Sequence, residues 1–272
     1  SKWSLKYPEN SSGEIVSLLL EGGVNQYNLP ISSISGVGNM VSTQETDLAF
    51  GGEYYMNQRI TFIGSVSYLD FDSNTLTYSD LNSLTVPLSV NYDYDESISV
   101  GLGFRHRSTR MGGQIVSAKA ESDDQAFYCI FENNRSAVWD YKLEAGIQRR
   151  DFKEDEIFTD INGLFASATT TWQATERSRF KGELSNEFGT TLANQSTEVS
   201  KLSLKWDHII SEHLQIFSGI GYEEISYDQT LGTREDERTT SILGLEYTML
   251  GGNWILRGSI EHTENKSSLT RA

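Results

Sequence analysis

The chain has 272 residues, a formal net charge of -16 and a single cysteine. This excludes a general nucleic-acid binder, which needs a basic footprint, and an intrachain disulfide framework. A mean hydropathy of -0.42, with no run of about 18 apolar residues, excludes a membrane helix. It does not exclude a membrane barrel, in which only alternate residues meet lipid.

The first segments, KWSLKY and EIVSLLLEGGV, are spaced to pair through PENSSG. Next, DLAFGGEYYM and RITFIGSVSYLDF flank a short polar turn near Asn57. The stretch LTVPLSVNYDYDESISVGLGFRHR, residues 84–107, alternates on both sides of a break at Asp95-Glu96. Leu84, Val86, Leu88, Val90, Tyr92 and Tyr94 share one face with Ile98, Val100, Leu102 and Phe104, while Pro87, Arg105 and Arg107 lie on the other. A side-chain period of two over both runs predicts a β-hairpin. Further hairpins turn near Asn134, Glu176, Glu212 and Gly251, so that successive turns fall 36 to 42 residues apart. Six hairpins give twelve strands, and the N-terminal pair makes about fourteen. On that count both termini fall on one side, which gives sixteen if a terminal strand is missing at each end. One domain, 1–272, is expected.

The other strand ends carry longer, polar connections: FDSNTLTYSD, RMGGQIVSAKAESDD, DFKEDEIFTD, EFGTTLANQSTEVS and SYDQTLGTREDERTT. Short turns at one end and long loops at the other match outer-membrane barrels. Sorting by parity puts Trp139, Leu143, Ile147, Leu204, Leu245 and Ile260 on an apolar face. The opposite face is charged, with a predicted lumen lining of Arg105, Arg107, Lys142, Glu144, Arg150, Arg179, Lys181, Glu183, Lys205, Glu246, Arg257 and Glu261. Aromatic residues gather beside the short turns on the apolar face, with Tyr92, Tyr94, Trp139, Trp172, Trp206, Tyr247 and Trp254 placed at a membrane interface. A soluble sandwich explains neither this belt nor strands of 10 to 16 residues, since sandwich strands are usually about 5–6.

The mixed lumen charges admit two readings, a salt-bridged wall that holds the barrel's shape or a translocation path that binds a passing solute. Charged rings set selectivity in pores, and Arg105 with Arg107 is the sharpest cationic feature. Tyr55, Phe71, Phe165, Phe217 and Tyr227 are the candidate inward aromatic platforms for sugar. The four histidines, His106, His208, His213 and His262, are scattered with no convincing Ser or Asp partner, so an enzyme is not expected. No metal or cofactor motif is present, and Cys129 in AFYCIF reads as a small buried or lipid-facing residue. The acidic residues Asp70, Asp72, Glu121, Asp123, Asp124, Glu154, Asp155, Glu156, Glu235, Asp236 and Glu237 are expected on loops. There they form a solvated surface or a site for divalent-cation bridging. Segment 113–125 is the candidate internal plug.

The loop TREDERTT leads into SILGLEYTMLGGNWILRGSIEHTENKSS, a Tyr-containing strand, a short turn, an aromatic "W-x-L" strand start and a polar "E-x-x-x-N-S" end. This resembles the C-terminal hairpin of the putative β-barrel porin type 2 family, and YLDFDSN and YDYDESISVGLGFRHRS look like the same pattern nearer the N-terminus. The resemblance implies a Gram-negative outer-membrane barrel, often linked to export of surface polysaccharide. The expectation is therefore an all-β, transmembrane, antiparallel up-and-down β-barrel of about 14 strands in the bacterial outer membrane. Its expected role is a conduit for surface polysaccharide, with a general porin for small solutes or a plugged structural or adhesive barrel as alternatives. Expected partners are lipid and lipopolysaccharide, polysaccharide and periplasmic export proteins, with no nucleic acid and no cofactor.

Overall fold

A computed structural model describes residues 2–7, 17–31, 39–73, 80–112, 120–133, 136, 138–153, 160–191, 195–229, 232–249 and 254–271. Their regular elements are all strands: β1 (Lys2–Tyr7), β2 (Ser17–Ile31), β3 (Asn39–Tyr55), β4 (Ile60–Ser73), β5 (Asp80–Asp93), β6 (Ser99–Gly112) and β7 (Ala120–Asn133). Then follow β8 (Trp139–Phe152), β9 (Ile161–Thr175), β10 (Ser178–Thr191), β11 (Gln195–Ser211), β12 (Leu214–Gln229), β13 (Gly232–Thr248) and β14 (Ile255–Arg271). Each strand pairs with its neighbours in sequence, in one sheet ordered β1 to β14. The pairs are antiparallel throughout, as in β5–β6 and β13–β14. Among the described residues β1 and β14 are each paired on one side only, so the sheet is open there.

Of the six turn positions read from the sequence, Asn57, Asp95, Glu176 and Glu212 fall between strands, Asn134 and Gly251 lie outside the described residues, and four of the six connections share one chemistry. Asn57 Oδ1 accepts the N–H groups of Arg59 and Ile60 at 2.8 and 2.9 Å. Asp95 Oδ1 accepts those of Ser97 and Ile98 at 2.7 and 2.8 Å. Ser136 Oγ and Thr175 Oγ1 do the same for the residues two and three positions on. A short polar side chain thus satisfies the N–H groups that the hairpin ladder leaves free, which is why such residues mark these turns. The two N–H donors hold the exposed Asp95 carboxyl below its ordinary range.

The opposite connections differ from expectation. Strands β2 to β14 run 14 to 17 residues, or about 45–55 Å at the rise of an extended chain. Most of each predicted loop is therefore strand. Asp70 and Asp72 lie in β4, Glu121, Asp123 and Asp124 in β7, and Glu235, Asp236 and Glu237 in β13. Glu154, Asp155 and Glu156 lie outside the described residues. Segment 113–125 is divided, with 113–119 outside the described residues and the rest opening β7. Apolar alternation stops where a strand leaves the bilayer, whereas its backbone pairing continues.

Parity sorts the two faces as read. Leu143, Ile147, Leu243 and Ile260 are 44%, 65%, 62% and 79% exposed, as are similar residues across the sheet. On the other parity Arg150 and Asp124 are 1% and 4% exposed. An apolar face this broad would cost about 25 cal/mol per Å² in water, so hydrocarbon is its natural contact. The charged face is the inside of the curl, because residues of the non-adjacent strands β6, β8 and β10 meet across it. That inner face is not uniformly polar. Ala126, Tyr128, Ile130 and Phe165 form one buried cluster, and Phe71, Leu81 and Met111 another. Phe71 and Phe165, candidate sugar platforms, are therefore packing residues.

Candidate functional site on the inner wall

Cross-strand register builds the centre of the wall. Arg107 of β6 stands opposite Asp124 of β7, which stands opposite Arg150 of β8. The buried Asp124 carboxylate accepts from Arg107 Nε at 2.8 Å and from Arg150 Nε and Nη2 at 2.5 and 2.7 Å. Two guanidiniums on one carboxylate leave one cation in excess, and both point their remaining donors at backbone. Arg150 Nη1 donates to Gly189 O at 2.7 Å, and Arg107 donates to Phe188 O. Arg105 reaches Glu187 at 2.7 Å and lies 4.9 Å over the Phe165 ring.

These contacts converge on residues 187–189 because β10 leaves β9 there. The β9–β10 ladder ends at Asn186 opposite Ala166, while β10 continues, still paired with β11. The upper part of β10 folds across the inner face, and Gln148 of β8 bridges the gap. Its Nε2 donates to Leu164 O at 2.8 Å, and its Oε1 accepts from Phe188 N at 3.1 Å. A side-chain amide, itself a donor and an acceptor, so replaces the missing ladder bonds. Phe188 is buried under Arg150 at 5.2 Å and against Gly163, where a Cβ would lie 3.1 Å from the ring. Gln148 and Glu187 lie on the charged parity, as their alternation predicts, whereas Asp124, expected on a loop, and Phe188 were absent from the predicted lining. Register counted in equal steps from Asn134 puts Asp124 opposite Glu144 rather than its partner Arg150, and contacts between non-adjacent strands leave no sequence signal.

All twelve predicted lining residues lie on the charged parity. Lys142 pairs with Glu144 at 2.8 Å, and Arg179 with Asp207 at 3.0 Å. Glu183 accepts from Ser203 Oγ and Glu261 from Thr263 Oγ1, both at 3.4 Å. Lys181 and Lys205 are directly opposite each other, and Glu246 is opposite Arg257. Arg257 lies 4.5 Å over Phe217. The cationic pair singled out in the sequence is engaged by carboxylates, Arg105 by Glu187 and Arg107 by the Asp124 it shares with Arg150, and the cations without a carboxylate partner lie elsewhere.

On the outer face, rings link laterally near the short turns. Trp139 contacts Tyr141 at 5.8 Å, Trp172 stacks on Phe180 at 5.5 Å, and Phe180 on Trp206 at 6.4 Å. Tyr92, Tyr94, Trp172, Tyr247 and Trp254 are all exposed. This band provides the amphipathic rings that favour a headgroup level. The exposed Cys129 lies on the same parity. A Ser–His contact missed in the sequence also lies here, with Ser178 Oγ 2.7 Å from His208 Nδ1. Among the described residues no carboxylate engages that imidazole, so the third group of a catalytic triad is not supplied. Among the described residues no three His, Cys, Asp or Glu side chains are arranged to hold a metal.

The family described as Putative beta-barrel porin 2 matches residues 136–272. No curated protein matches the chain in sequence. Among solved structures it is similar to the FrpB iron transporter of Neisseria meningitidis (F3-3 variant), with a TM-score of 0.63 at 9% identity, covering 99% of this chain and 52% of that one. It is also similar to the alcaligin outer-membrane receptor FauA of Bordetella pertussis, with a TM-score of 0.54 at 10% identity, covering 100% and 54%. The ferric yersiniabactin uptake receptor FyuA of Yersinia pestis gives a TM-score of 0.52 at 8% identity, covering 97% and 59%. The chain thus spans a little over half the length of each. At these identities the likeness is one of fold, the antiparallel outer-membrane barrel wall.

Proposed function

Because the chain belongs to the Putative beta-barrel porin 2 family and is a bacterial outer-membrane protein, we propose that it forms a passive conduit for export of surface polysaccharide. The observation that carries this reading is the inverted polarity of the sheet. Exposed Leu, Ile and Trp side chains point outward, and charged side chains line the inner face. Such a wall encloses a wet path in an apolar bilayer. The complete barrel closes with fourteen strands, or sixteen with a further pair. Transport needs no catalytic residue and no cofactor. Lipid and lipopolysaccharide surround the outer face, and the short turns are where periplasmic export proteins dock. A general porin for small solutes is the nearest alternative. The inward fold of β10, pinned by Arg105, Arg107 and Arg150, favours a narrowed path and supports a plugged barrel as the rival reading.

Planar-bilayer recording of the whole protein tests the proposal. Stepwise conductance that falls on addition of surface polysaccharide is the expected result. Silence in the bilayer would overturn the conduit and favour the plug. Conductance indifferent to polysaccharide would favour the general porin.

A further inference from the structure

The charged residues of the inner wall fall into two groups. Around β6, β7 and β8 the cations are engaged by carboxylates, as in the Asp124 cluster and the Arg105–Glu187 and Lys142–Glu144 pairs. On β10 to β14 four inward cations, Lys181, Lys205, Arg238 and Arg257, have no carboxylate partner among the described residues. Lys181 and Lys205 face each other as direct cross-strand neighbours, an arrangement that costs stability unless an anion sits between or beside them. Arg257 is held over a ring rather than by an acid.

Lys205 and Arg257 line the same inner-wall cavity, of about 370 Å³, together with Gln215, Phe217 and Glu246. That volume lies within the range of small-ligand sites, roughly 300–1,000 Å³. Gly244 makes the floor flat, since a Cβ there would fall 2.3 Å from the Phe217 ring. Phe217 therefore lies across β13, and the Arg257 guanidinium rests on it at 4.5 Å. A guanidinium stacked in this way keeps its planar edge of N–H donors free, fixed for a bidentate partner. Among the described residues no hydrogen bond or ion pair engages the side chains of Lys205, Gln215 or Glu246.

We infer that this cavity is a binding site for a carboxylated sugar unit. The carboxylate is taken by Lys205 and Arg257, with Lys181 adding to the local field, and the hydroxyls by the Gln215 amide and the Glu246 carboxylate. The lining also holds Asp207, which is taken up by Arg179, so that with Lys181 alongside the cations outnumber the acids, and a neutral sugar would leave that excess uncompensated. The inference rests on the conduit reading and narrows its cargo to an anionic polysaccharide.

The test is isothermal titration of the whole detergent-solubilised protein with trigalacturonate, maltotriose and inorganic phosphate, with conductance recorded on the same preparation. Trigalacturonate should bind at least about ten-fold tighter than maltotriose or phosphate. Replacing both cations (Lys205→Gln with Arg257→Gln) should weaken it by about ten-fold or more, with heat-modifiable migration unchanged. If the double variant does not fold, the exposed single variant Lys205→Gln is read in its place. Equal binding of maltotriose or phosphate, or binding untouched by these substitutions, would overturn the site. Loss of conductance with binding intact would instead overturn the conduit alone.

Discussion

Replacing Asp124 by Asn removes the one negative charge shared by Arg107 and Arg150 without changing side-chain shape. Asp124 is 4% exposed and Arg150 1%, so the Arg150 guanidinium does not recover water when the charge is lost. The asparagine oxygen can still accept, but all four bonds at 2.5 to 2.8 Å lose their charged acceptor. Breaking a buried pair by removing one partner costs about 3–5 kcal/mol, more than an ordinary surface pair by several-fold. A loss of about 3–5 kcal/mol is therefore expected in equilibrium urea unfolding in lipid vesicles, followed by tryptophan fluorescence. The same guanidiniums hold Phe188 O and Gly189 O, so the upper part of β10 should loosen in the variant. Adding Arg150→Met to Asp124→Asn removes the stranded cation and should recover part of the loss, a non-additivity that a double-mutant cycle reads directly. A cost below about 1 kcal/mol for Asp124→Asn, or strict additivity with Arg150→Met, would refute the shared-carboxylate reasoning.

Substituting Gln148 by Leu should cost about 1–3 kcal/mol by leaving Leu164 O and Phe188 N without their bridge, and hydrogen exchange at the Phe188 amide should accelerate. Unchanged exchange would mean that Gln148 does not tie β8 to β10. Placing Arg at Leu143, on the exposed outer parity four residues from Trp139, should cost about 2–4 kcal/mol in vesicles. A neutral outcome would argue that this position does not meet lipid. At Asp95 the folded-state carboxyl is lowered, so its contribution is complete above the ordinary value of 3.8 and is lost as pH falls through the lowered one. Exchange of the Ser97 and Ile98 amides, corrected for intrinsic rates, should therefore rise on acidification only below about pH 4. A rise beginning near neutrality would contradict that sign.

How much of this was legible in the sequence follows from the physics of each feature. The period of two placed Leu143 and Ile147 on one face and Lys142 and Glu144 on the other, because a strand's parity needs no knowledge of its neighbours. Asn57 and Asp95 marked turns because their side chains act locally, within three residues. Strand length was misjudged where Glu235, Asp236 and Glu237 were read as loop. They pair instead with Ser268, Ser267 and Lys266 of β14, and a ladder outside the bilayer carries no hydrophobic signature. The Asp124 cluster was hidden because ESDD reads as a polar connection and its partners lie on separate strands. Glu187 and Phe188 were less accessible still, since their contacts depend on β10 crossing the inner face. Lys205 and Arg257 were found by parity, but their lack of acid partners is a property of the assembled wall.

The central claim is that the sheet is apolar outside and wet inside. It is tested most directly by spin labels placed one at a time at Lys142, Leu143, Glu144, Ala145, Ile147 and Gln148 of β8. The labelling is done in a background where the exposed Cys129 is replaced by Ser, and collision with oxygen and with a water-soluble nickel complex is measured in vesicles. Labels at Leu143, Ala145 and Ile147 should collide preferentially with oxygen, and those at Lys142, Glu144 and Gln148 should not. Equal access of the nickel complex to both sets, or a reversed alternation, would contradict the membrane barrel.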